Sequence, residues 1–211
     1  PSKDRINYFD TSQINGLVKV IPNFPSLKFF KTPTTKILDK TLKVVFIGSI
    51  AEGRGLMEFV NLLPLTISGV EIELKIIGYQ SNSKLINNLL DLIHEKKLEK
   101  IVSIQDPIPY SELKTVGNDA NLGLGFYLSD SIMDRTISTA SNKIFEYAAM
   151  GLPVISNITL PKSEWLISST PSENEIKNAL KFCIDNYQRI SQLAYVEFTN
   201  KYYFEYNFIP F

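Results

Sequence analysis

From position 42 onward the apolar residues gather into short blocks separated by polar or amphipathic stretches. Leu42-Lys43-Val44-Val45-Phe46-Ile47 is a near-continuous apolar run that stops at Gly48, the pattern of a strand covered on both faces of a parallel sheet. Ile72 to Ile77, Ile101 to Ile104, Leu122 to Phe126, Val154 to Ser156 and Trp165 to Ile167 also read as strands. Helical spacing fills the gaps: Leu56 to Leu63, a helix with Leu85, Leu89, Leu92 and Ile93 on one face, a short one from Tyr110 to Val116, and one opening at Ser141. Ser172 and Glu175 have capping-box spacing ahead of a helix whose apolar face holds Ile176, Leu180, Cys183, Ile184 and Tyr187. Strands alternating with helices over this length predict an α/β fold with a doubly wound parallel sheet. No repeat of fixed period is present.

The first forty residues read differently. Residues 1–14 predict a short polar helix, and Leu17 to Ile21 a strand closed by Pro22-Asn23-Phe24-Pro25. The stretch to Lys40 is rich in Pro, Thr and Lys and behaves as a linker.

Ligands of doubly wound sheets bind beyond the carboxyl ends of the strands. Here that means Gly48 to Gly55, Gly78-Tyr79, Gln105 to Pro109, Tyr127 onward, and Ser141 to Glu146. The last of these is the most informative. Ser141 suits an N-cap, Ala148-Ala149-Met150 favour helix, Gly151 suits the left-handed residue after it, and Pro153 opens the next strand. The first turn of such a helix presents free backbone N–H groups and the positive end of the dipole, and Lys143 adds a full charge. Asn142, Lys143 and Glu146 are expected on one side, away from Phe145 and Ala149. Glu146 cannot help to bind phosphate, but it can accept hydrogen bonds from sugar hydroxyls. Phosphate donors one turn from a hydroxyl acceptor point to a nucleotide.

The loop Gly48-x4-Gly53-Arg54-Gly55 nearly matches a phosphate-binding Walker loop, yet Arg54 stands at the lysine position and Gly55 at the position of the magnesium-holding hydroxyl. An exposed backbone turn with one arginine can still grip a diphosphate. A turn glycine beside a solvated arginine is the plain alternative, as a surface carboxylate is for Glu146. Asp130 and Asp134 read as loop acids or as catalytic carboxylates. His94 shares its helix face with Asn87 and Asp91 and reads as solvated; without a second His or Cys nearby no metal site is expected. Cys183 belongs to the core, and the aromatic run Tyr202 to Phe208 to a terminal segment docked on the domain.

Composition narrows the classes further. The chain has 211 residues with 22 basic and 22 acidic side chains, so no net charge favours nucleic acid or an anionic membrane as main partner. No run approaches a membrane span, and no signal peptide is read. One cysteine forbids an internal disulfide and suits a reducing cytoplasm. A start at Pro1 without methionine suggests a fragment of something longer.

The ordered set Val44-Val45-Phe46-Ile47-Gly48 through Arg54-Gly55-Leu56, then Leu74 to Gly78, Asn121 to Leu124, and Asn142-Lys143-Ile144-Phe145-Glu146-Tyr147 with Gly151-Leu152-Pro153-Val154-Ile155, resembles the C-terminal domain of group 1, family-four retaining glycosyltransferases. The resemblance spans roughly residues 18–195, and Val18 to Asn23 is similar to the segment leaving the family's N-terminal domain. It implies the Rossmann-like C-terminal half of a GT-B fold: residues 1–40 as interdomain connection, 41–195 as nucleotide-sugar domain, and 196–211 returning to the missing N-terminal domain. Implied too are a hexosyltransferase-type enzyme, inactive without that domain, a nucleotide-diphosphate sugar as donor with no cofactor or metal, and a sugar or glycolipid acceptor. Polysaccharide biosynthesis follows from family habit, as does a cytoplasmic location, with peripheral association at the inner face of the plasma membrane left open.

Carried over by position, Arg54 takes the place of a diphosphate-binding lysine, Ser141, Asn142 and Lys143 the turn that receives the distal phosphate, and Glu146 the ribose-binding acid. Arg54 and Glu146 are the expected catalytic residues; Gly48, Ser49, Tyr79, Pro107 and Ile108 complete the binding set, the loop Gln105 to Ile108 lying against the base. Two positions depart from the family: Ser49 where an arginine is common, and Ser138 where many members have an acid. Spacing does not tell whether Asp130 or Asp134 substitutes. These departures keep a second reading alive, an inactive nucleotide-binding or interaction module. A nucleotide-sugar epimerase would need more acids and histidines near the sugar than one remote His94.

Overall fold

The computed structural model describes residues 3–10, 12–16, 18–30 and 36–208. Leu17, the linker residues 31–35 and the last three positions of the C-terminal segment lie outside the described residues.

The apolar blocks become a seven-stranded sheet. Its strands are β1 (Thr41–Ile47), β2 (Thr66–Ile67), β3 (Val70–Ile77), β4 (Val102–Gln105), β5 (Leu122–Leu124), β6 (Val154–Ser156) and β7 (Leu166–Ser168). Parallel strands run β4-β3-β1-β5-β6-β7, and β2 is a two-residue antiparallel addition to the start of β3. Without β2 this is the order 3-2-1-4-5-6, whose topological switch falls between β1 and β5. Helices α1 (Leu56–Leu62), α2 (Ser83–Glu95), α3 (Leu113–Asp119), α4 (Ile132–Arg135), α5 (Asn142–Ala149), α6 (Glu173–Lys201) and α7 (Phe204–Asn207) cover the faces.

Alternation along β1 splits the core into two layers. Leu42, Val44 and Phe46 face α1, α2 and the first half of α6; Val45 faces α5 and the far end of α6, where Ala194 and Phe198 lie. At 29 residues, about 43 Å, α6 reaches both layers and passes position 195 without a break.

Several sequence expectations need correction. Residues 3–8 form a 3-10 turn, and Val18 to Ile21 enter no strand. Phe24 instead packs edge-on to Phe145 at 4.5 Å and to Tyr202 at 5.4 Å, so the segment is held by side chains and not by a ladder. The capping box does not close: Glu175 accepts at 2.7 Å from the N–H of Thr170, two residues ahead of the cap residue Ser172. The helix still begins where its apolar face does. The aromatic C-terminal run does dock: Glu205 accepts from the Leu27 N–H at 3.0 Å, and Tyr202 lies 5.0 Å from Phe145.

Candidate functional site at the sheet switch point

Where β1 and β5 part company, backbone donors lose their ladder partners. Only Val44 and Val45 pair with β5, so the Ile47 N–H donates instead to the Tyr147 hydroxyl at 2.8 Å. Tyr147 comes from the middle of α5, is fully buried, and fits only because Gly123 has no side chain: a Cβ there would meet its ring at 2.4 Å. This fastens α5 across the opened crevice. Tyr147→Phe leaves the half-buried Ile47 N–H without its partner and is expected to cost about 1–2 kcal/mol. Urea unfolding reads that loss; a change within error would mean that water or a rearranged loop takes the proton.

Glycines bring the strand ends together around α5. Gly48, at φ +141°, donates to the Ile77 carbonyl at 2.9 Å, and Gly78 lies so close that a Cβ would fall 1.6 Å from the Gly48 carbonyl oxygen. Gly53 and Gly55 are also left-handed, at φ +73° and +71°, and Gly55 begins α1 against the ring of Phe126. The Gly53 carbonyl accepts from the Leu128 N–H at 2.9 Å, joining this loop to the one after β5. The near-Walker loop is therefore a tight turn with its arginine aimed across the crevice.

Ser141 caps α5 as its sequence predicts, accepting from the Ile144 N–H at 3.3 Å, and Gly151 follows the helix at φ +69°. The Ser141 hydroxyl also meets the Tyr127 hydroxyl at 2.6 Å, so it is held between α5 and the loop after β5. Lys143 turns toward Gly48, its Nζ 3.8 Å from the centre of the Phe46 ring and 5.4 Å from that of Tyr127. Arg54 stands across the Tyr127 ring, its Cζ 5.0 Å from the centre, and donates to Asp134 at 2.9 Å. Asn142 and Glu146 take the other flank. They line a cleft of about 620 Å³ together with Asn23, Tyr110 and Phe204, a volume in the range of small-ligand sites. The one-sided arrangement expected for Asn142, Lys143 and Glu146 thus resolves into two flanks of one helix end.

Asp134 is the residue whose role the sequence left open. It is buried, and one carboxylate oxygen accepts from Arg54, from the Ser129 N–H at 3.2 Å and from the Ser129 hydroxyl at 2.7 Å. Burial works against its charge, but Ser129 and Arg54 outweigh it and hold the carboxyl below its ordinary value. Asp130 is exposed. Of the other candidates, Ser49 bonds Ser81 at 3.0 Å, Tyr79 is 71% exposed, and Pro107 is exposed while Ile108 is half-buried on the α5 side of the sheet. No hydrogen bond or ring contact among the described residues joins these to Arg54 or Lys143. A second hollow, about 220 Å³ between β1, β3, β4 and α3, is lined by Lys43, Lys75, Glu99 and Asp119, away from the crevice. Among the described residues no group of three His, Cys, Asp or Glu side chains is placed to hold a metal ion, and no helix is long and apolar enough to cross a membrane.

Burial, aided by Arg54 and opposed by Glu146 and Asp134, pushes Lys143 down to about 7, and burial opposed by Lys143 pushes Glu146 up to about 7. The consequences for stability have opposite signs. From pH 4.5 to 7, unfolded Glu146 has lost the proton that the folded chain keeps, so stability falls as pH rises. From pH 7 to 10.5, unfolded Lys143 keeps the proton that the folded chain has lost, so stability rises. Both terms therefore reach their worst near pH 7. In melting temperature against pH, Glu146→Gln is expected to remove the acid-side fall and Lys143→Met the alkaline-side rise. Profiles parallel to wild type would contradict both assignments.

No family model and no curated protein sequence matches the chain. Solved structures do. Sucrose-phosphate synthase from Thermosynechococcus elongatus is similar with a TM-score of 0.70 at 15% identity, over 98% of this chain and 54% of that one. HepE from Anabaena, solved in complex with UDP, is similar with a TM-score of 0.67 at 13% identity, over 90% of this chain and 54% of that one. The C-terminal domain of LpcC from Francisella tularensis, a glycosyl transferase group 1 family protein, gives 0.56 at 16% identity, over 85% of this chain and 95% of that domain. The chain spans about half the length of the first two. At such identities the likeness is one of fold: the chain has the Rossmann-like architecture that solved GT-B glycosyltransferases carry in one of their halves.

Proposed function

We propose that this chain is the donor-binding domain of a retaining, metal-independent glycosyltransferase, with residues 41–195 as the nucleotide-sugar domain and 1–40 and 196–211 as segments that meet an N-terminal domain. The observation that carries the reading is the division of labour at the head of α5. Two cations, Arg54 and Lys143, lie with the helix N-terminus on one flank, and Glu146 faces a nucleotide-sized cleft on the other. The diphosphate belongs between the cations, which would stabilise the charge that develops on it as the glycosyl bond breaks. Glu146 belongs on the ribose hydroxyls. UDP is the first nucleotide to try, because HepE was solved with it. The hexosyl group, the polysaccharide or glycolipid acceptor and any contact with a membrane surface complete the proposal on family resemblance.

The ribose assignment has its own test. UDP is expected to bind at least about tenfold more tightly than its 2′,3′-dideoxy analogue, a charge-assisted hydrogen bond being worth about 1.5–3 kcal/mol. Glu146→Gln should erase most of that difference. Equal binding of both nucleotides to the wild-type chain would remove Glu146 from the donor site.

A further inference from the structure

Tyr127 was expected only as part of a strand-end loop, yet it is the residue on which the two cations converge. Its backbone is clamped by Asn157, whose amide oxygen accepts from the Tyr127 N–H at 2.8 Å and whose amide nitrogen donates to the Tyr127 carbonyl at 2.7 Å. That fixes the ring at the end of β5. Arg54 lies 5.0 Å from its centre and Lys143 5.4 Å, and its hydroxyl reaches the cap residue of α5 at 2.6 Å. Two like charges this close repel; Asp134 answers Arg54, Phe46 lies nearer Lys143 at 3.8 Å, and Tyr127 is the ring that offers its negative face to both. Asp134 holds Arg54 through Nη1, so among the described residues Nη2 and Nε of the guanidinium carry no protein acceptor.

We infer that Tyr127 is a positioning residue: its aromatic face holds Arg54 and Lys143 together, and its hydroxyl ties that pair to the head of α5, setting the spacing of a diphosphate clamp. The inference rests on the donor-site reading for its ligand, but the arrangement itself exists without one. Burial pushes the phenol up to about 12, against Ser141 and Arg54, so the ring stays neutral at ordinary pH.

The test has a ligand-free arm and a binding arm. In NMR spectra of the free chain, the Arg54 side-chain protons are expected to be shifted upfield by the Tyr127 ring, to keep that shift in Tyr127→Phe and to lose it in Tyr127→Leu. Random-coil values in the wild type, which need no variant to fold, would overturn the inference, as would an upfield shift that survives in a folded Tyr127→Leu chain. In calorimetric titration, Tyr127→Leu should bind UDP about tenfold more weakly and UMP within about twofold of wild type, while Tyr127→Phe, which keeps the ring and loses only the tie to Ser141, should weaken UDP by about threefold and leave UMP unchanged. Unchanged UDP affinity in the leucine variant would also overturn it. A wild type that shows the ring shift and ignores UDP would instead count against the donor-site reading and leave the positioning role standing.

Discussion

Lys143→Met is expected to weaken binding of a nucleoside diphosphate by about 10- to 150-fold while leaving the melting temperature unchanged or higher. The two halves of that result have separate causes. A lysine donating to phosphate forms a charge-assisted hydrogen bond worth about 1.5–3 kcal/mol. In the free chain the same ammonium is pressed between Phe46, Tyr127 and Gly48 with Arg54 nearby, a setting that disfavours its charge. Methionine fills much of the space without that charge. Calorimetry and thermal unfolding of one preparation read both halves. A variant that binds as well as wild type would take Lys143 out of the site, and one that melts far lower would make it a structural residue.

The second large effect is expected at Gly78. Its φ is not in the left-handed region, so alanine is conformationally allowed, but the new Cβ would lie 1.6 Å from the Gly48 carbonyl oxygen and 2.7 Å from its carbon. Backbone on both sides cannot rotate away as a side chain can. β1 and β3 must separate at their carboxyl ends, breaking the bond from Gly48 to Ile77 and that from Ile50 to Tyr79. A cost of at least about 3 kcal/mol follows, or roughly 6–12 °C in melting temperature for a domain of this size. Because Gly48 adjoins Lys143, UDP binding should weaken as well. A drop under about 2 °C would show that the strand ends are not in the contact described.

The main architecture was legible because buried parallel strands leave an unmistakable trace. β1 is an almost unbroken apolar run ending at Gly48, β3 alternates apolar and charged residues up to Ile76-Ile77-Gly78, and α5 carries both its start and its stop signals in Ser141 and Gly151. Legibility fails where the outcome depends on what lies elsewhere. Val18 to Ile21 has the composition of a strand but finds no ladder, and Phe24 is captured by Phe145 and Tyr202 instead. Strand β2 is two residues long, below any period that can be read. Linker residue Lys36 looks solvated in sequence, yet it is buried and donates to the Gly117 and Ala120 carbonyls at the end of α3.

The site divides in the same way. Gly48, Lys143 and Glu146 are readable because a glycine turn and a helix terminus are local devices. The bond from Arg54 to Asp134 links residues 80 apart, and no spacing rule foretells it. Tyr127 had one usable signal, an aromatic in the loop just past the strand beside the switch point. Its importance depends on Asn157, thirty positions away, and on two cations, one from the loop after β1 and one from α5.

In the proposed site the head of α5, with Arg54 and Lys143, grips a nucleoside diphosphate without a metal ion. Calorimetric titration of the chain with UDP and with GDP, first in EDTA and then with magnesium, tests it most directly. The expected result is saturable binding of one of the two in EDTA, little changed by magnesium and weakened at least tenfold by Arg54→Ala. Binding that appears only with magnesium, or that Arg54→Ala leaves intact, would contradict it.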